Sequence, residues 1–198
     1  MSPPERARVH ELLREEYRAV ARDPRTFTHH LTGRALAAAL GYPPSWVASL
    51  PETVSVTFAG TGNPFFAGPL PPGWQVVDVG CGGGLDSLLA ARQVGVAGGV
   101  IGVDLTPELL AIAEEARAAL GLTQASFREG LAEALPLPSA WADAVIVNGL
   151  LNLVPERQRA VSEIVRVLRP GGWLLGGELV VTWAVPADVR ADPAFWCT

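Results

Sequence analysis

The sequence predicts an α/β fold with a doubly wound, mostly parallel sheet. Apolar runs of strand length alternate with helical patterns over residues 74–181, and strands that alternate with helices form parallel sheets through crossover connections. The first apolar run, residues 75–79, leads directly into a glycine-rich stretch. Open parallel sheets bind ligands where their strands end, so the same two observations predict the position of a site.

The N-terminal third is predicted to be mainly helical. Apolar residues recur at helical spacing over residues 4–22, and Asp23-Pro24 ends this helix. Two shorter helices are predicted over residues 30–40 and 46–50. Residues 51–73 are rich in Pro and Gly, which predicts mostly loop, with a short extended piece at residues 54–58.

The remaining two thirds contain the alternating pattern. The predicted strands are residues 75–79, 99–104, 125–128, 143–148 and 173–181, and the predicted helices are residues 85–94, 106–121 and 155–168. We therefore expect residues 1–73 to be a helical extension and lid, and residues 74–198 to be the ligand-binding domain, together one compact unit.

Composition excludes several classes of protein. The 198-residue chain carries a net charge of -5, has no lysine and is 49% hydrophobic, which predicts a globular protein that does not bind nucleic acid. No run approaches the roughly 18 apolar residues of a membrane helix, and the N-terminus has no apolar signal core, so we predict no membrane association and a cytoplasmic location. Cys81 and Cys197 are the two cysteines; we predict no disulfide framework and no metal site.

The glycine-rich stretch begins with an acid and reads Asp-x-Gly-x-Gly-x-Gly over residues 78–84. Glycines allow the backbone to turn sharply and lie against a ligand, and the N-terminus of the next helix offers free N–H groups. Asp104 ends the second predicted strand, where an acid can accept hydrogen bonds from both hydroxyls of a ribose. A dinucleotide fingerprint counted from Gly80 would need glycine at position 85; Leu85 stands there, which disfavours a nucleotide-linked oxidoreductase.

This loop resembles the first motif of class I S-adenosylmethionine-dependent methyltransferases, which have a Rossmann-like fold. The resemblance implies S-adenosyl-L-methionine as the cofactor. In that family an acid after the third strand accepts the adenine amino group, but Leu131 stands at that position, so backbone groups of Leu131 and Ala132 would contact the adenine. The cofactor-binding residues implied are Asp78, Gly80, Cys81, Gly82, Gly84, Asp104, Leu105, Leu131, Ala132 and Asn148.

A closer resemblance, to arsenite methyltransferases, rests on several segments together: residues 60–64, 80–86, 89–95, 100–108 and 148–155. That family binds trivalent arsenic through cysteines, since thiolates suit soft centres. Here Thr61 and Gly149 occupy two of the cysteine positions, and Cys197 does not register with a third. We therefore predict a small-molecule acceptor other than arsenite, in a pocket lined by Thr61, Gly149 and Asn152.

No catalytic residue is assigned, because methyl transfer from a sulfonium mainly requires positioning and exclusion of water. Other polar and aromatic residues are given ordinary roles. Asn152 is expected to cap the helix near Pro155, Glu178 to be a charge at a sheet edge and Glu133 to be solvated, while Tyr17 is expected in the core rather than as a lid over the cofactor. Surface or capping roles are predicted for His10, His29 and His30, and core or contact roles for Trp46, Trp74, Phe195 and Trp196.

In class I methyltransferases the last two strands of the sheet form a hairpin, and we expect this chain to lack that hairpin. An uncovered apolar edge strand promotes association, so we predict a homodimer. A non-catalytic S-adenosylmethionine-binding protein, either a sensor or a degenerate paralogue, is the alternative to an enzyme.

Overall fold

The computed structural model describes residues 2–26, 31–180, 182 and 184–186. The elements are α1 (Pro3–Arg22), α2 (Gly33–Ala39), α3 (Pro44–Ala48), α4 (Glu52–Val56), β1 (Gln75–Val79), α5 (Leu85–Val94), β2 (Gly99–Asp104), α6 (Pro107–Ala119), β3 (Ala125–Glu129), β4 (Ala142–Asn148), α7 (Arg157–Val167) and β5 (Leu168–Gly177). The predictions for His29, His30, Phe195, Trp196 and Cys197 lie outside the described residues.

The five strands form one all-parallel sheet in the order β3-β2-β1-β4-β5. The chain moves outwards from β1 to β3 and then returns to place β4 on the other side of β1. The direction of winding therefore reverses between β1 and β4, and a crevice for ligands is expected at the carboxyl ends of these strands. The predicted α/β class and parallel sheet are confirmed.

Hydrophobic cores lie on both faces of the sheet. Neighbouring residues of a strand point to opposite faces, so Val76 packs with α5 on one face while Val77 packs with α7 on the other. Burial on both faces explains why β1 and β4 are almost continuously apolar.

The N-terminal helices pack against this sheet domain. Tyr42, Val47 and Val54, which lie on or beside α2–α4, belong to the same buried cluster as Leu88 of α5, and α1 contacts α6. Trp46 and Trp74 pack against this cluster as predicted. The division at residue 73 stays a prediction.

The prediction of an extended piece at residues 54–58 is wrong. Residues 52–56 form helix α4, in which Val54 N–H and Ser55 N–H donate to the carbonyl of Pro51 at 3.2 and 3.3 Å. Val54 and Ser55 are fully buried, so packing of this helical turn outweighs the strand preference of its β-branched residues.

The bounds predicted for the fifth strand are also wrong. β5 begins at Leu168, directly after α7. The pairing of β4 with β5 shifts in register between Ala142 and Ala144, so the Pro-Gly-Gly segment belongs to an irregular part of the strand and not to a loop before it. The strand ends at Gly177 because the next residue, Glu178, turns to accept hydrogen bonds from the N–H groups of Leu150 and Leu151 at 3.0 Å.

Candidate cofactor and acceptor site

A deep pocket lies at the carboxyl ends of β1, β2 and β4, at the point where the winding reverses. The empty space between its walls is about 1040 Å³ when the open solvent at its mouth is counted. The glycine loop and Asp104 line it, together with residues of α1, the segment after α4 and the loop after β4.

The backbone of the glycine loop is fixed by β2. The N–H groups of Gly80 and Cys81 donate to the carbonyl of Val103 at 2.8 and 3.1 Å. Gly84 adopts a φ of 87°, and a Cβ atom there would lie 2.8 Å from that of Ala113. The position therefore requires glycine for both its conformation and its close packing, and α5 can begin immediately afterwards.

Asp104 links the glycine loop to the start of α6. Its Oδ2 accepts from Gly82 N–H at 2.9 Å and its Oδ1 accepts from Thr106 N–H at 2.8 Å. A carboxylate can accept about four hydrogen bonds, so both oxygens can still accept from a ligand. Burial raises the pKa of this carboxyl, and its hydrogen bonds oppose the rise.

Two further carboxyl groups, Asp78 and Asp86, are buried beside the loop. Burial, reinforced by the charge of Asp86, raises the pKa of Asp78 from 3.8 to about 8, while Ser87 Oγ donates to its Oδ2 at 2.6 Å. Burial likewise raises the pKa of Asp86 to about 6, although the hydrogen bonds from Asn148 and Tyr42 oppose the rise. Perturbed acids that line a cleft are typical of functional sites.

The pocket brings together most, but not all, of the residues predicted from sequence. Those that line it are Asp78, Gly80, Cys81, Gly82, Asp104, Leu105, Leu131, Ala132, Asn148 and Gly149. Gly84 lies behind the loop, and Thr61 lies behind Gly149, whose Cβ would be 3.0 Å from Thr61 Cγ2. Asn152 is not among the residues that line the pocket, and its carbonyl accepts from Arg157 at 3.1 Å; its role in an acceptor site stays a prediction.

The surface role predicted for Glu133 is wrong. Its side chain is 6% exposed, its Oε1 accepts from His10 Nε2 at 3.0 Å, and both residues line the pocket. Burial alone would raise the pKa of Glu133, but the hydrogen bond and charge of His10 outweigh it and lower the pKa. His10 is thus a pocket residue rather than the predicted surface or capping residue.

Three more outcomes concern single side chains. Tyr17 of α1 is half-buried and lines the pocket. This position is the one expected of a lid over the cofactor, which was the alternative to the predicted core role. Glu178 is not a free edge charge, since its carboxylate holds the loop after β4. Cys81 is a buried thiol of the pocket, and burial, with the nearby charges of Asp104 and Asp78, raises its pKa well above the ordinary value.

Asp86 and Tyr42 were missed by the sequence reasoning. Asp86 follows the glycine loop in the first turn of an otherwise apolar helix, and a buried-helix pattern interrupted by an acid was the available signal. Tyr42 carried no comparable signal, because its partner Asp86 is distant in the chain.

An α/β domain whose glycine loop, strand-end acid and buried carboxyls converge on one crevice defines a nucleoside-cofactor-binding class of protein. Residues 70–198 match the family model of the methyltransferase domain. The chain therefore belongs to the methyltransferase domain family, as its class I motif predicted, and membership implies S-adenosylmethionine as the cofactor.

Individual relatives are consistent with the closer resemblance. An arsenite methyltransferase from Halobacterium salinarum is 41% identical over 154 residues, which cover 78% of this chain and 39% of the relative. The crystal structure of an arsenic(III) S-adenosylmethionine methyltransferase from Chlamydomonas reinhardtii superposes with a TM-score of 0.66 at 35% identity, over 82% of this chain and 55% of that one. The structure of the cyclase SpnF gives a TM-score of 0.50 at 36% identity, over 53% and 38% of the two chains.

The chain spans less than half the length of the curated relative from Halobacterium salinarum. Among the described residues, no helix is long and apolar enough to cross a membrane, and no cluster of His, Cys, Asp and Glu side chains has the arrangement of a metal site.

Proposed function

We propose that this protein transfers the methyl group of S-adenosylmethionine to a small-molecule acceptor other than arsenite. The observation that carries the proposal is the excess of acidic over basic side chains in the pocket lining. Asp78, Asp86 and Asp104 line it with Glu133, whereas no arginine is among the described residues of its lining. A cofactor with a sulfonium and an ammonium group complements such a pocket, because nearby carboxylates favour positive charge.

The proposed cofactor contacts follow the pocket from one strand end to the next. Gly80 and Gly82 present backbone to the methionyl part, Asp104 accepts from the ribose hydroxyls, and Leu131 with Ala132 lies against the adenine. The cofactor supplies an activated methyl group, so the remaining task of the chain is to orient an acceptor and exclude water. The apolar side chains of Leu13, Phe58 and Leu150 in the lining suit that task.

The neighbourhood of Thr61 supports an acceptor other than arsenite. Thr61 and Gly149 lie in contact, so cysteines at these two positions would form a thiolate pair, but neither residue carries sulfur. Thr61 Oγ1 is already engaged as a donor to the carbonyl of Gly177 at 2.7 Å. Gly149 has a φ of 76°, a conformation that disfavours any side chain. Neither of these two positions therefore offers a thiolate ligand to a soft trivalent arsenic centre.

Binding and turnover together test the proposal. Calorimetry of the 198-residue chain with S-adenosylmethionine, S-adenosylhomocysteine and NAD should give heat with the first two compounds only. Release of S-adenosylhomocysteine is then measured over a panel of small hydroxyl, amine, thiol and carbon acids, with arsenite included. An Asp104→Ala variant, which loses the proposed ribose contact, serves as the matched control. Failure of the wild-type chain to bind S-adenosylmethionine would refute the proposal.

A non-catalytic cofactor-binding protein is the second candidate. It is favoured by Leu131, which offers no side-chain acceptor to the adenine. Cofactor binding without turnover of any acceptor in the panel would support it.

A further inference from the structure

One wall of the pocket is a short irregular segment, residues 58–62, which follows α4 and is called the wall segment here. Phe58, Ala59 and Gly60 line the pocket, while Thr61 and Gly62 lie behind them. The segment is not part of a strand or helix. At one end the carbonyl of Phe58 accepts from Gly33 N–H at 2.7 Å, and Thr61 Oγ1 donates to the carbonyl of Gly177 at 2.7 Å, whereas the N–H groups of Thr61 and Gly62 are bound by a side chain from elsewhere in the chain.

The side-chain amide of Asn148, at the end of β4, makes three hydrogen bonds to the wall segment. Its Oδ1 accepts from the N–H groups of Thr61 and Gly62 at 2.9 and 2.8 Å, and its Nδ2 donates to the carbonyl of Gly62 at 3.0 Å. Three bonds of this kind leave the side chain little capacity for a ligand. The predicted cofactor contact of Asn148 would therefore use its backbone or its surface alone.

Asp86 holds this amide in place. Its Oδ2 accepts from Asn148 Nδ2 at 2.8 Å, and its Oδ1 accepts from Tyr42 Oη at 2.6 Å. Tyr42 Oη is also 3.2 Å from both Asn148 Nδ2 and the carbonyl of Gly62. The carboxylate is buried, and hydrogen bonds to a buried charge are about twice as strong as those between neutral groups.

We propose that Asp86 is a positioning residue that holds the wall segment against the cofactor, acting through Asn148 and Tyr42. Asp86 lies two residues after the glycine loop, in the first turn of α5. The element that follows the glycine loop therefore also holds the wall segment. The role in cofactor retention rests on the proposed function, whereas the role in ordering the wall segment does not.

The charge of Asp86 is essential to this arrangement, because both of its neighbours donate. An Asp86→Asn side chain can accept from only one of its two neighbours. Its NH₂ group would face the other, and would either lose the bond from Asn148 Nδ2 or reverse the bond with Tyr42 Oη. Tyr42→Phe removes the hydrogen bond from Tyr42 Oη to Asp86 Oδ1 and leaves the carboxylate in place. Each change should loosen the wall segment, and Tyr42→Phe does so without changing the number of acidic side chains in the pocket lining.

The first experiment measures the kinetics of S-adenosylhomocysteine binding to the wild type and both variants at pH 8. A loosened wall should raise the dissociation rate constant on the order of tenfold to a hundredfold and change the association rate constant less than about threefold. Arg92→Met is the control, because Arg92 also ties the N-terminal region to α5, through Ser49 Oγ and the Ser49 carbonyl at 2.5 and 3.0 Å, but does not line the pocket. Its dissociation rate constant should match the wild type.

The second experiment needs no ligand. Hydrogen exchange of the Thr61 and Gly62 amides should be on the order of tenfold faster in Asp86→Asn and Tyr42→Phe, while the Val145 amide inside β4 keeps its rate. Unchanged exchange at residues 61 and 62 in Tyr42→Phe would overturn the proposal, even if Asp86→Asn failed to fold. If the variants exchange faster but the wild type binds no S-adenosylhomocysteine, the role of Asp86 in ordering the wall segment is confirmed and the proposed function is refuted.

Discussion

Raising the pH from 7 to 8 should tighten the binding of S-adenosylmethionine about fivefold. Asp78 lies buried in the pocket with a pKa raised to about 8, so its carboxyl is ionised in about one molecule in ten at pH 7 and in about one in two at pH 8. A cationic cofactor prefers the ionised form and must displace the proton. The affinity therefore increases with the ionised fraction, and binding should release close to one proton at pH 7.

Calorimetry at pH 7, 7.5 and 8 measures both quantities, and repetition in two buffers of different ionisation enthalpy counts the protons. The control is Asp78→Asn, in which affinity should be weaker at pH 8 and independent of pH. An affinity that is flat or falls between pH 7 and 8 in the wild type, or proton uptake on binding, would refute the reasoning.

The same variant tests the sign of the effect on folding. The pKa of Asp78 is higher in the folded chain than its ordinary value of 3.8, so the neutral carboxyl stabilises the fold below pH 3.8 and this stabilisation is lost as the pH rises towards 8. Asp78→Asn, which cannot ionise, should raise the free energy of unfolding of the ligand-free protein by up to about 4 kcal/mol at pH 7. Urea denaturation measures this difference, and a destabilised variant would contradict the assigned direction of the pKa.

Three further predictions follow from single positions. Gly84→Ala should lower the free energy of unfolding by at least about 2 kcal/mol, because the residue has a φ of 87° and no room for a methyl group. Gly121→Ala is the control for thermal unfolding: at a φ of 65° with open space around it, it should destabilise the fold less. Leu131→Asp should strengthen S-adenosylmethionine binding about tenfold by supplying an acceptor to the adenine amino group, and an unchanged dissociation constant would place the adenine elsewhere. Trp173, which is 56% exposed on the edge strand β5, should hold a homodimer together, so sedimentation velocity should show Trp173→Glu as a monomer; a wild-type monomer at the same concentration would contradict the predicted dimer.

The parallel sheet was predictable because its signal is local. Each of β1, β2 and β4 is a short apolar run that ends in a residue lining the pocket, so the strand and the pocket residue are read from the same few positions. Asp78 and Asp104 could be identified in this way. The errors at α4 and β5 have a common cause, since in both places tertiary packing overrides the local preference: burial of Val54 for the helix, and the register shift of β5 beside β4.

The pocket walls could not be read from the sequence because they are made by distant pairs. Glu133 looked like a surface acid until α1 placed His10 beside it. Asp86 acquires its role from Tyr42 and Asn148, which are 44 and 62 residues away along the chain. No periodicity or motif records contacts at such separations.

The side chains that dock α1 recur at every fourth residue. Arg6, His10, Arg14 and Arg18 follow one side of the helix, and each meets an acid of a different segment of the chain: Glu156, Glu133, Glu129 and Glu108. Partly exposed ion pairs weaken as salt shortens the reach of charge, to about 3 Å at 1 M. Ionic strength should thus regulate how tightly this helix closes over the crevice, and cofactor exchange measured in dilute buffer will be slower than exchange in concentrated salt.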